Sequence, residues 1–83
     1  MRISIKAAAA LREFLPEGAI RGKVELDVEA GSTPADIISL LGIPDDRRLM
    51  VILDGAMVTR PELNVIQLQE AQTLSLNPPI QAG

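Results

Sequence analysis

Two segments near the N-terminus alternate strictly between apolar and polar residues, and this period of two is the strongest constraint on the fold. Arg2–Lys6 places two isoleucines on one face, and Lys23–Glu29 places Val24, Leu26 and Val28 on one face. Such alternation is typical of strands with one buried and one solvent-facing side. The outward residues are basic in the first segment and acidic in the second, so an antiparallel pair would bring opposite charges together.

One segment carries the signals of an α-helix. Thr33 or Ser32 can cap its start, and Pro34 suits the first helical position. Gly42, which a proline follows two residues later, ends it. We expect its buried stripe to consist of Ile37, Leu40 and Leu41.

The other segments complete an α+β pattern. Leu11–Gly18 suits a turn or two of helix. Leu49–Leu53 is predicted to be a strand whose odd- and even-numbered residues are all apolar. Asp54–Gly55 predicts a hairpin turn into the short strand Met57–Val58, and Thr73–Leu76 alternates as a last strand. The predicted architecture is one main helix covering a mixed sheet of four to five strands.

Composition excludes several classes of function. The 83 residues suit one domain and contain no cysteine and no histidine, which excludes disulfides, thiolate metal sites and the commonest general base. A net charge of −3 and a single aromatic residue, Phe14, argue against nucleic-acid binding. There is no membrane-length apolar run and no signal-peptide pattern. We therefore expect a cytoplasmic protein with no metal and no intrinsic cofactor.

Three polar clusters resemble ligand sites only superficially. Glu25, Asp27 and Glu29 alternate along one strand face without a histidine, which is typical of a solvated face and not of a metal site. Asp45–Asp46 lacks the spaced ligands of a calcium loop. Ser32–Thr33 lacks the glycine-rich loop and lysine of a phosphate site, and helix capping accounts for both residues.

Several segments spread along the whole chain carry a family resemblance. They are the opening strand with Leu11–Glu13 after it, the Gly31–Thr33 helix entry, the Val51–Gly55 turn, and Thr73–Leu76 running into Pro78–Ile80 and a terminal glycine. In this order they resemble the MoaD/ThiS-type sulfur-carrier family of ubiquitin-like proteins. The length and the Pro-Pro tail are most similar to those of the molybdopterin-synthase small subunit.

The resemblance implies a β-grasp domain over residues 1–76 and a flexible carrier tail over residues 77–83. It implies that a ubiquitin-activating-type adenylyltransferase uses ATP to adenylate the carboxylate of Gly83, which then becomes a thiocarboxylate. The sulfur would pass to a molybdopterin-synthase large subunit or to a thiazole-type synthase. The residues implied to enter the partner are Pro78, Pro79, Ile80, Gln81 and Ala82. On this interpretation the chain is a protein substrate and not an enzyme.

Two positions depart from the family pattern. The family tail usually ends Gly-Gly, whereas this chain ends Ala82–Gly83, and the turn before the last strand is Glu70–Ala71 instead of an Asp-Gly type. Ala82 keeps the side chain minimal but suits only an extended bound tail. Pro78–Pro79 already bias the tail toward such a polyproline II conformation. The alternative is an ordinary frayed terminus of a fold that has lost its carrier chemistry.

The Leu49–Leu53 strand supports a second hypothesis. If its odd-numbered residues point inward, Met50 and Ile52 form a partner-docking patch on the other face, which Ile80 would extend. The alternative is a central strand buried on both sides, by loop 7–22 or by a dimer contact. A docking patch also suits a non-covalent interaction module with an inactive tail. Thiamin-type sulfur delivery and tagging of lysines on other proteins stay open, because tagging and sulfur delivery begin with the same adenylate.

Overall fold

Five strands, one α-helix and two 3₁₀ helices form within residues 1–79, which are the residues that the computed structural model describes. In chain order they are β1 (Arg2–Ala7), a first 3₁₀ helix (Ala9–Phe14), β2 (Lys23–Asp27), α1 (Pro34–Leu40), β3 (Met50–Leu53), β4 (Ala56–Val58), a second 3₁₀ helix (Pro61–Asn64) and β5 (Thr73–Asn77). The predicted order of elements is confirmed. The predicted turn or two of helix after β1 is the first 3₁₀ helix.

The strands form one sheet in the order β2-β1-β5-β3-β4. Its central pair, β1 and β5, is parallel, and the other neighbouring pairs are antiparallel. A parallel pair requires a long crossover connection. Here the chain between the two strands, which includes α1, provides it. The predicted α+β architecture, a mixed sheet with one covering helix, is therefore confirmed.

The core lies on one face of the sheet, where α1 and the first 3₁₀ helix also contribute. Its buried side chains are Ile3, Ile5, Ala7, Leu11, Ile37, Ile43, Val51, Val58, Leu68, Leu74 and Leu76. Two half-buried residues of β2, Val24 and Leu26, pack against this cluster. Within residues 1–79 no polar or charged side chain is buried, so hydrophobic burial supplies the packing energy of this core.

The pairing of β1 with β2 brings opposite charges together at one end, as the alternation predicts. Arg2 lies opposite Asp27, and its Nη2 donates to Asp27 Oδ2 at 3.2 Å. Its Nη1 lies 3.9 Å from Glu25 Oε1. The hydrogen bond to Asp27, followed by the charges of both carboxylates, raises the pKa of the Arg2 guanidinium. Because these pairs are exposed, they contribute little to the stability of the fold.

The start of α1 follows the predicted capping chemistry, and its buried face differs from the prediction. Asp36 N–H donates to Thr33 Oγ1 at 3.2 Å, and Thr33 N–H donates to Asp36 Oδ2 at 2.9 Å, which forms a capping box. Ile37 is buried, but Leu40 is 64% exposed, so its assignment to the buried stripe was wrong. The stripe follows positions 34, 37, 38 and 41, and Leu40 lies off that face.

Two tight turns join the strands. Asp54 and Gly55 have φ of 47° and 87°, so both central residues of the β3–β4 hairpin are left-handed, as the Asp-Gly pair predicts. In the turn before β5, Ala71 has φ of 70°. That turn is attached to the start of β1, because Arg2 N–H donates to the Glu70 carboxylate and Ala71 N–H donates to the Arg2 carbonyl at 2.8 Å.

Candidate partner-docking face

The side of the sheet opposite the core is the candidate functional surface. The strand register aligns one residue from each strand in a row across it: Lys23, Lys6, Ser75, Ile52 and Met57. The row is therefore basic on the β2–β1 side and apolar on the β3–β4 side. We call this side of the sheet the outer face.

The apolar side of the outer face contains both residues that the sequence predicts for a docking patch. Leu49 and Leu53 pack against the core with the buried Val51, so Met50 and Ile52 occupy the outer face, as the predicted parity requires. Both are half-buried. Whether they bind a partner stays a prediction. In the sheet, the lateral neighbours of Ile52 on this face are Ser75 and Met57.

Met57 enlarges this patch, and the sequence analysis did not include it. It lies opposite Ile52 in the β3–β4 pair and is 63% exposed. The signal that identifies it is the Asp54–Gly55 turn, because a two-residue hairpin loop fixes which residues face each other. The apolar patch is defined here as Met50, Ile52 and Met57.

The root of the tail lies directly beside the apolar patch. β5 includes Asn77, one residue beyond the predicted end of the strand, and Asn77 pairs with Met50. The Asn77 Nδ2 atom donates to the Met50 carbonyl at 3.4 Å. Pro78 and Pro79 follow and are exposed, and neither has an N–H to extend the ladder. The other predicted tail residues, Ile80, Gln81, Ala82 and Gly83, lie outside the described residues.

The acidic residues of β2 have no arrangement suited to a ligand. Glu25 and Asp27 are exposed and pair with Arg2, which is the behaviour of a solvated strand face. Over residues 1–79, no group of three potential ligand side chains is placed to hold a metal ion. In the same part of the chain, no helix has the length and apolar character needed to cross a membrane.

Comparisons with known proteins concern the fold. No protein-family model and no curated protein sequence matches the chain. Among solved structures, the Haloferax volcanii HVO 2177 protein matches with a TM-score of 0.77 at 20% identity, over 100% of this chain and 87% of that one. SAMP1 from the same organism matches with a TM-score of 0.70 at 23% identity, over 100% of both chains.

A further match is a chain from the Helicobacter pylori complex of subunits 1 and 2 of molybdopterin-converting factor. Its TM-score is 0.63 at 10% identity, over 100% of both chains. The chain has a ubiquitin-like β-grasp fold. Because these identities lie between 10% and 23%, the matches establish the β-grasp fold, and its chemistry has to be argued from the residues of this chain.

Proposed function

We propose that this β-grasp protein is a sulfur carrier of the molybdopterin type, with Gly83 as the residue that carries the activated acyl group. The observation that carries the proposal is the position of the tail root. Asn77 ends a central strand beside the apolar patch, and two exposed prolines follow it outside the strand ladder. A partner that covers the patch would receive the tail at the same place.

The chemistry requires a free carboxylate on Gly83. One carboxylate oxygen attacks the α-phosphorus of ATP and releases pyrophosphate, which leaves an acyl-adenylate. A hydrosulfide equivalent from a sulfur donor then attacks the carbonyl carbon and displaces AMP, so that a C–S bond replaces a C–O bond. Glycine suits a narrow activating cleft because it has no Cβ. We propose that residues 77–83 act as the carrier tail of a domain formed by residues 1–76.

All catalytic groups for these steps come from partners. A ubiquitin-activating-type adenylyltransferase supplies the ATP site, and the chain needs no cofactor of its own. The sulfur acceptor is a synthase large subunit, or a thiazole-type synthase if the carrier serves thiamin. The Helicobacter pylori complex, in which two subunits of a molybdopterin-converting factor associate, supports a protein partner of this kind. We propose a cytoplasmic location, where ATP is available to the activating enzyme.

Two other functions begin from the same surface. Attack on the adenylate by a lysine amine of another protein would make this chain a modifier, and its structural similarity to small archaeal modifier protein 1 of H. volcanii supports keeping that alternative. A non-covalent interaction module would use only the apolar patch, and the 63% exposure of Met57 favours it as a second candidate.

Intact-mass spectrometry tests the carrier function. We expect incubation with a cognate activating enzyme, ATP and a sulfur donor to exchange one oxygen for sulfur at Gly83. The absence of cysteine means that no side-chain thiol competes for the label. Deletion of Gly83 should abolish the mass gain, while Val65→Ser, at an exposed site outside the apolar patch, should retain it. An unchanged mass for the wild-type chain with cognate activating enzymes would reject the carrier function.

A further inference from the structure

One corner of the outer face concentrates positive charge in an acidic protein. Four cationic side chains line a shallow cavity of about 520 Å³ there: Lys6, Arg12, Arg21 and Lys23. Ser75 and Asn77, which belong to the strand that leads into the tail, line the same cavity. The chain has 8 basic residues against 11 acidic ones, so half of its basic residues meet at this corner. We call these four residues the basic corner.

The basic corner includes a like-charge pair. Lys6 lies directly opposite Lys23 in the β1–β2 ladder. At the other end of the same ladder, Arg2 lies opposite Asp27 and forms an ion pair. Among residues 1–79, the observed ion pairs involve Arg2 and none of the four residues of the basic corner. Like charges that face each other across strands destabilise the pair, so the free protein gains nothing from this arrangement.

Backbone packing positions one member of the basic corner. Gly22 has φ of +75°, and a Cβ built there would lie 2.6 Å from the Ala7 carbonyl oxygen and 2.7 Å from Arg12 Nε. The Ala7 N–H also donates to the Gly22 carbonyl at 2.8 Å. The glycine thus lets the loop before β2 pass against both the end of β1 and the Arg12 side chain. Because this backbone limits the conformations of the Arg12 side chain, binding a partner would cost less side-chain entropy at Arg12.

The shape of the outer face suits a protein and not a small anion. The row from Lys23 to Met57 crosses five strands. At about 4.8 Å per strand it is roughly 19 Å wide. A small anion would need donors in a site that excludes water, whereas all four cations are exposed to solvent. A basic region beside an apolar patch instead resembles the charged rim and apolar centre of a protein interface.

We propose that the basic corner docks an acidic segment of a protein partner, with aspartate and glutamate carboxylates placed beside the opening that receives the tail. The identity of that partner as the activating enzyme or synthase rests on the proposed function; the acidic character of its surface does not. The charges would guide association and orient the tail root, which is the usual contribution of rim charges. Their effect would weaken as salt increases.

Lys23→Glu separates this role from a structural one. We expect the variant to unfold at a higher urea concentration than the wild-type chain, because a Lys–Glu pair replaces a like-charge pair. In an NMR titration with decaglutamate at low salt, we expect wild-type amide shifts to cluster at the basic corner. The variant should bind decaglutamate about tenfold more weakly, since a charge at the contact is reversed. Arg48→Glu, at an exposed turn, makes the same change in net charge and should bind as the wild type does.

Two outcomes of the titration would overturn the inference. The first is an equal loss of decaglutamate binding in Lys23→Glu and Arg48→Glu, and the second is tighter saturation of the corner by inorganic phosphate than by decaglutamate. If the wild-type chain is adenylated and Lys23→Glu leaves its KM as a substrate unchanged, the activating enzyme is not the partner that supplies the acidic segment, and the carrier function stands. If the wild-type chain is not adenylated, the carrier function fails, and the titration still decides whether the corner binds an acidic segment.

Discussion

At the scale of single residues, Ala71 stores backbone strain in the turn before β5. Its φ of 70° lies in the left-handed region, where a Cβ costs about 1–2 kcal/mol. The hydrogen bond from its N–H to the Arg2 carbonyl fixes that conformation. The turn therefore places an alanine at a left-handed position, which a glycine would occupy without strain.

Ala71→Gly should stabilise the protein. We expect the free energy of unfolding to rise by about 0.5–1 kcal/mol, because relief of the strain exceeds the added entropy of the unfolded chain. Urea denaturation measures the change. The matched control is Ala56→Gly in β4, where glycine relieves no strain and should lower stability. Equal changes in both variants would contradict the assigned strain.

The stability of the second 3₁₀ helix depends on pH through the carboxyl group of Glu62. The Thr59 N–H and hydroxyl both donate to Glu62 Oε1 at 2.8 Å, and these bonds hold the pKa of the carboxyl below its ordinary value of 4.5. Since the folded pKa is lowered, the stabilisation is present above the ordinary pKa and is lost as pH falls through the folded value.

Carbon-detected NMR titration should therefore show a Glu62 pKa below 4.5. In Thr59→Val we expect the pKa to move part of the way back, because the backbone N–H of residue 59 still donates. The acid-induced loss of stability should be smaller in that variant. A Glu62 pKa that Thr59→Val leaves unchanged would mean that the hydroxyl contributes nothing.

At the scale of elements, α1 shows how a short helix selects its buried face. It has 7 residues, and only one strip of them can contact the sheet. Ile37 is 1% exposed and Leu40 is 64% exposed, although both are apolar and three positions apart. The strip includes Pro34 and Ile37. Leu40 lies on a different side of the helix, which faces solvent.

Alanine substitution should distinguish these two residues sharply. Ile37→Ala should lower the free energy of unfolding by about 2–4 kcal/mol, because it leaves a cavity in the core. Leu40→Ala should change it by about 0.5 kcal/mol or less. Denaturant unfolding of both variants measures the difference. A large loss in Leu40→Ala would show that its side chain is covered in solution.

Local chemistry explains which parts of the fold could be predicted from the sequence. The alternation of the strands, the cap at Thr33 and the Asp54–Gly55 turn depend on residues close together in the chain, so all three predictions are confirmed. The position of Lys6 opposite Lys23 depends on the strand register, which the long connection between β1 and β2 leaves open. The four cations beside β5 come from different segments of the chain, so their proximity could not be predicted from the sequence.

At the scale of the whole molecule, the outer face has a basic side and an apolar side with the tail root between them. The apolar patch lies on β3 and β4, the basic corner lies on β1, β2 and the segment that joins them, and Asn77 lies on the strand between these pairs. A partner whose surface complements both sides would bind in a single orientation. The tail would then point toward one site on that partner.

Ile52→Asp should weaken docking without unfolding the protein. If the patch docks the activating enzyme as proposed, we expect KM for the chain as its substrate to rise about tenfold with kcat nearly unchanged, because Ile52 would contribute to binding and not to the reaction of the Gly83 carboxylate. The control is Val65→Asp, which places the same charge at a 73% exposed apolar site outside the patch. Equal KM values for both variants would remove the patch from the docking surface.

The central position of β5 also determines how the protein bears mechanical load. Hydrogen bonds to β1 on one side and β3 on the other hold this strand along its length. A force applied to Pro79 along the strand axis would shear both ladders at once instead of opening them one bond at a time. The domain should therefore resist a pull on its C-terminal end better than a pull on an edge strand, which one ladder alone holds.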